Sequence, residues 1–170
     1  MSETLRGRQH AVNIGSGVDA TEPAKALSEL VVHVFRLDGV LRTVGDSMSA
    51  PSGQTTARWR VLAALDHGPL TVAEIARAWW LARQTVQRLA DTLDEEGLVA
   101  YGPNPAHRRA KLVTLTPAGR AALTDIRAAQ QHWADTVGAQ ISESDLRTAN
   151  RILAHVLDVL EPDGRPTSRL

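Results

Sequence analysis

The sequence contains no cysteine, which excludes disulfides, thiol redox sensing and cysteine-bearing zinc sites. It also has no excess charge of either sign, with 19 Lys and Arg against 19 Asp and Glu. That balance argues against non-specific coating of polyanions and leaves room for a local basic face. No apolar run approaches the length of a bilayer span, and the N-terminus has no apolar signal core. The expectation is a soluble protein without a membrane partner, in the cytoplasm by default. No internal repeat or low-complexity block is evident. Catalytic signatures are missing as well. None of the six histidines forms a His-Glu-x-x-His pair, and there is no Gly-x-Ser-x-Gly elbow or Walker loop. Gly15-Ser16-Gly17 lacks both a preceding strand and the rest of a dinucleotide fingerprint. His132 and Asp125 on one helix are weak grounds for a metal site. No enzyme activity, cofactor or metal is therefore expected.

What is present suits one good-sized core, or one protomer of a dimer: 170 residues, 43% of them hydrophobic. The most informative stretch is Thr71–Thr116. Thr71-Val72-Ala73-Glu74 has the spacing of a capping box and opens a short helix with Val72, Ile75, Ala76 and Trp79 on its apolar side. After a turn, Val86, Leu89, Ala90 and Leu93 form the apolar stripe of a second helix, spanning residues 83–96, which Gly97 ends. Gln84, Gln87, Arg88 and Asp91 repeat the same spacing on the opposite side. Leu98–Tyr101 and Ala110–Thr116 read as strands around the turn chemistry of Gly102-Pro103-Asn104-Pro105.

That order of elements is a winged helix-turn-helix, mainly α with a small β-hairpin wing. The second helix has groove-reading chemistry. Gln can bond adenine bidentately, Arg guanine, and Thr either base edges or phosphate. A solvated amphipathic helix would look the same in isolation, and the wing tips the balance. From Tyr101 to Arg120 there are four Lys or Arg and no acid, which points to phosphate or minor-groove contact. Gln84, Thr85, Gln87 and Arg88 are the candidate base readers, with Arg83 on phosphate. Arg108 and Arg109 would straddle or enter the minor groove, and Lys111 would lie by the backbone. The expected partner is double-stranded DNA.

The remaining chain divides into a tail over residues 1–21, a helix and loop over 22–50, the winged lobe over 54–116, helices over 117–161 and a polar tail over 162–170. Arg6, Arg8 and His10 in the first tail can touch DNA, though an idle tail is the plainer reading. A first helix from Thr21 or Glu22 to Gly45 carries the stripe Leu27, Leu30, Val31, Val34, Leu37, Leu41 and Val44. Asp38 lies within it and, if buried, needs an arginine partner. Ser47–Gln54 reads as a loop, and Thr55 or Thr56 caps a helix through about Asp66. Ala118, Ala121, Ala122, Asp125, Ile126, Ala129, Trp133 and Val137 are the expected buried side of a helix opening at Thr116-Pro117. Ser142 opens the last helix.

Leu81 through Asp91, Glu96-Gly97-Leu98-Val99, His107 through Val113 and Leu115-Thr116-Pro117-Ala118-Gly119 together resemble the MarR family of bacterial transcriptional regulators, roughly from Glu22 to Leu160. The resemblance implies a homodimer, most often a repressor, on a pseudo-palindromic operator. It also implies that the first and last helices form the dimerisation region and that a small molecule such as an aromatic acid releases the DNA. His33, Arg36 and Trp59 are the effector candidates, as cations for a carboxylate and a ring for stacking, although core and surface roles account for each. The departures are specific. His107 replaces the Asp of the family's Asp-x-Arg wing pair, whose Arg is Arg109. Ala82 replaces a common N-cap Ser. Trp80 stands where a small turn residue is usual, placed to cover the domain's flank, line an effector cleft or stack near a sugar-phosphate backbone. Without cysteine, a peroxide-sensing mode is excluded. The alternative to a DNA-binding regulator is a winged-helix protein–protein module, which the zero net charge and Asp91, Asp94, Glu95 and Glu96 would fit.

Overall fold

The computed structural model describes residues 20–107 and 109–160. Arg6, Arg8, His10 and Arg108, with the tail beyond Leu160, lie outside the described residues. The chain divides into two units, residues 1–44 and 45–170.

The first unit holds most of helix α1, Glu22–Ser49. Thr21 Oγ1 accepts from the Ala24 amide, and Lys25 pairs with Glu22 at 2.7 Å in the opening turn. The expected stripe is present but unburied within one chain, with Leu27, Val34, Leu37 and Leu41 all exposed. Asp38 does pair with an arginine, Arg42, at 2.7 Å one turn along the same helix. That pair is half-exposed rather than buried. Among the described residues no helix is long and apolar enough to cross a membrane.

Helix α1 does not stop at Gly45. Gly45 is buried, and a Cβ there would lie 2.4 Å from Thr56 Oγ1. Here the glycine allows close approach instead of ending the helix, and Asp46 accepts from the Thr56 amide at 2.7 Å. The expected loop at 47–54 is thus the end of α1 plus a 3-10 turn, Ala50–Ser52.

Helix α2, Thr56–Ala64, is capped by Thr55, whose hydroxyl accepts from Arg58 N. It ends two residues before the expected Asp66. Leu70–Thr71 then forms a two-residue strand, β1, which the sequence did not signal. Helix α3, Val72–Ala78, opens with the expected capping box between Thr71 and Glu74. Helix α4, Arg83–Glu95, is followed by β2, Val99–Gly102, and β3, Leu112–Leu115. The wing is therefore a three-stranded antiparallel sheet of order β1-β3-β2, not a lone hairpin. Leu70 faces Val113, and Tyr101 faces Val113 from the other side. Val61, Leu62, Ile75, Val86, Ala90, Leu93, Val99, Val113 and Leu123 make one core beneath these elements. Each helix contributes its apolar stripe and each strand its inward positions.

Helix α5, Pro117–Gly138, starts as expected, with Thr116 accepting from the Gly119 amide. Its expected buried side holds for Ile126, which is buried, and for Ala122, Ala129, Trp133 and Val137, which are half-buried, but differs in the opening turns. Gly119, Leu123 and Ile126 are buried while Ala118, Ala121 and Asp125 are exposed. Gly119 sets the phase, because a Cβ there would lie 1.9 Å from the Leu98 carbonyl oxygen. A two-pronged ion pair between Arg127 and Asp66, at 2.6 and 2.8 Å, ties α5 to the residues after α2. Helix α6, Glu143–Leu160, has no buried residue. Its Leu146, Ile152, Leu157 and Leu160 remain exposed.

Candidate nucleic-acid interface

Helix α4 buries Val86, Ala90 and Leu93 and leaves Arg83, Gln84, Thr85, Gln87 and Arg88 exposed. Arg83, Gln84, Gln87 and Arg88 line one shallow surface, and Thr85 is exposed on another side of the helix. The helix starts at Ala82, which adopts an extended N-cap conformation without a side-chain hydrogen bond. One orphan amide of the first turn thus goes uncapped. At the far end, Glu96 accepts from Arg58 at 2.8 Å and from the Gln54 amide at 3.1 Å. Those bonds clamp the end of α4 to the start of α2.

The turn preceding α4 holds the two tryptophans. Trp79 caps α3, packs against the core and has the Arg60 guanidinium 5.8 Å from its ring centre. Its expected core role is borne out. Trp80 is exposed and has φ 52, the one positive φ outside glycine among the described residues. A left-handed backbone costs a non-glycine residue about 1–2 kcal/mol.

The wing joins α4 through three side chains. The Gln87 amide donates to Asp91 at 2.7 Å and to the Tyr101 hydroxyl at 2.8 Å, while that hydroxyl donates to Asp91 at 2.7 Å. Partial burial pushes the Tyr101 phenol well above its ordinary pKa, and the Asp91 carboxylate reinforces the shift. Tyr101 therefore stays a donor throughout the physiological range. Lys111 lies 5.8 Å from the centre of the Tyr101 ring, a cation–π arrangement. Nothing local in the sequence marks Tyr101 and Asp91 as partners. The signal available was the strand placement of Tyr101 after a helix bearing Asp91.

Arg83, Gln87, Tyr101, Arg109 and Lys111 line one cleft of ≈ 470 Å³ between α4 and the wing. Arg83, Arg88 and Arg109 form no ion pair among the described residues. Arg58 and Arg127, in contrast, are consumed in structural pairs. At the wing tip, Asn104 Oδ1 accepts from the Ala106 amide at 3.0 Å, and exposed His107 occupies the position of the missing wing acid. Of the effector candidates, His33 and Arg36 lie exposed on α1. Trp59, on α2, is partly buried against the core.

A helix-turn-helix followed by a sheet wing, with cations on both the second helix and the wing, defines a winged-helix transcription regulator. The comparisons with known proteins make this specific. The MarR family model matches residues 52–110. Rv2011c, an uncharacterized protein of Mycobacterium tuberculosis, is 41% identical over 100 residues, covering 59% of this chain and 70% of that protein. The transcriptional repressor NicR of Pseudomonas putida is 36% identical over 57% of this chain and 63% of its own. The transcriptional activatory protein BadR of Rhodopseudomonas palustris is 30% identical over 55% of each. Among solved structures, a mutant MarR of E. coli complexed with operator DNA superposes with a TM-score of 0.71. It has 20% identity and covers 81% of this chain and 99% of that one, a likeness of fold. The chain belongs to the MarR family.

Proposed function

We propose that this protein is a homodimeric repressor that reads a pseudo-palindromic operator through residues 83–96 and grips the flanking backbone with the wing, residues 102–110. The carrying observation is the contrast between spent and open charges. Of the acids at the end of α4, Asp91 is engaged by Tyr101 and Gln87 and Glu96 by Arg58 and Gln54, while Asp94, which lines the same cleft, and Glu95 stay exposed. Arg83, Arg88 and Arg109 stay open beside Gln84 and Thr85. Open arginines favour an anionic partner over a neutral one, and the exposed Gln84 and Thr85 beside them, able to bond base edges, favour DNA over an acidic protein.

The homodimer reading draws support from two apolar faces that a single copy leaves in water. One is Leu27, Leu37 and Leu41 of α1, and the other is Ile152, Leu157 and Leu160 of α6. Repression follows the family resemblance and the example of NicR, with BadR the example of the opposite sign. Release by a small aromatic acid belongs to the same reading and rests on family membership.

The test is fluorescence anisotropy with labelled DNA from upstream of the protein's own gene, over a salt series and against scrambled DNA. Competitor-resistant binding with a steep salt slope is the expected result. Weak binding that scrambled DNA removes equally would return the protein–protein module to first place.

A further inference from the structure

Trp80 is an exception twice over. The other positive-φ residues described are Gly53, Gly68 and Gly97. The other tryptophans, Trp59, Trp79 and Trp133, are partly buried, whereas Trp80 is 57% exposed. A bulky residue held in a left-handed turn is an outlier of the kind that clusters at functional sites. Its surroundings say what it meets. Trp80 shares a cleft of ≈ 440 Å³ with Ala76, Arg77, Leu81, Ala82 and Arg83, at the N-terminal end of α4. Two arginines thus line the same cleft as aliphatic side chains and the Trp80 ring. Ala82 places no oxygen there, so the usual polar N-cap contact is absent.

We propose that Trp80 is a DNA-contact residue whose ring packs on a deoxyribose of the backbone beside the recognition helix, with Arg77 and Arg83 on the adjoining phosphates. A cleft lined by both arginines and apolar side chains suits an occupant with anionic and apolar groups close together, and a sugar–phosphate chain alternates these groups. The assignment rests on the DNA-binding reading of α4 and extends it to the helix-turn-helix turn. It gives a reason for retaining the strained conformation.

The experiment compares wild type, W80G and W80F on a duplex that the wild-type protein selects from a random-sequence pool, with a scrambled duplex as control. Glycine suits the left-handed backbone, so W80G should melt no lower than wild type. It should nonetheless bind about tenfold more weakly, the loss expected when on the order of 50 Å² of apolar contact with the sugar returns to water. The salt slope should not change, since an uncharged ring displaces no counterions. W80F, which keeps most of the apolar ring area, should stay within about threefold of wild type on the same argument. In the free protein the exposed Trp80 should be open to acrylamide quenching, and the selected duplex should shield it.

Equal affinity for W80G and wild type would overturn the assignment while leaving α4 as the DNA reader. A loss accompanied by a flatter slope would overturn it too, by tracing the effect to displaced arginines. Shielding from acrylamide before DNA is added would place a protein at this surface instead. Failure of wild type to prefer the selected duplex would remove the DNA reading itself, and Trp80 with it.

Discussion

The Tyr101 hydroxyl donates to the Asp91 carboxylate at 2.7 Å, joining β2, the first strand of the wing hairpin, to α4. Gln87 donates to both partners, so its amide nitrogen is turned toward the wing, and under the proposed function only its carbonyl oxygen remains to meet a base. Tyr101→Phe keeps the ring beside Lys111 and removes the bond to Asp91. We expect it to cost about 1 kcal/mol in urea denaturation, as for a single part-exposed hydrogen bond, and to broaden base preference at the step facing Gln87. In a Gln87→Ala background the same change should leave base preference unaltered. An undiminished effect there would mean that the hydroxyl does not act through Gln87.

Arg109 is exposed on the wing and forms no ion pair among the described residues. Arg109→Ala should weaken binding across all sequences and reduce the salt slope by about 1 per protomer. A titration showing the wild-type slope would take the wing out of the interface.

Ala82 offers no side-chain oxygen to the first turn of α4. Ala82→Ser should raise stability by about 1 kcal/mol in thermal or chemical denaturation. The new hydroxyl also lies where a phosphate would approach a helix N-terminus, so operator affinity should rise as well. A stability gain with no change in affinity would place the DNA backbone away from this helix end.

Acid stability follows from three carboxyls. The Arg127 guanidinium beside Asp66 holds that carboxyl below the usual range, the Thr71 amide and hydroxyl do so for Glu74, and the Thr56 amide and hydroxyl for Asp46. Each folded-state pKa lies below its unfolded value. Their stabilisation is therefore complete above the ordinary carboxylate range and is lost as pH falls from about 4 downward through the depressed values. Asp66→Asn should lower stability at neutral pH and flatten the acid limb of a pH–stability curve. An acid limb of unchanged steepness would show that the Arg127–Asp66 pair contributes nothing to it.

Much of the winged lobe was legible in the chain because its signals are local. The 3.6-residue period of Val86, Ala90 and Leu93, the Thr71–Glu74 capping box, Gly97 after α4 and Thr116-Pro117 before α5 each act within a turn or two. Features set by distant contacts were less legible. Gly45 reads as a stop until Thr56 is packed against it, and the opening turns of α5 bury Gly119 and Leu123 in place of Ala118, Ala121 and Asp125 because Gly119 must meet the Leu98 carbonyl. A two-residue β1 exists because β3 is there to pair with it.

The sequence by itself determined the order of helices and strands and the exposed polar chemistry of residues 83–88, since periodicity and capping depend on neighbours along the chain. The tertiary structure alone decided which of those polar groups are spent and which are open. Asp91 meets Tyr101, and Glu96 meets Arg58, only after the strands register and the helices pack. A charge that is paired within the fold has little left to offer a ligand, so the open cations of the candidate interface became identifiable once their neighbours' partners were known.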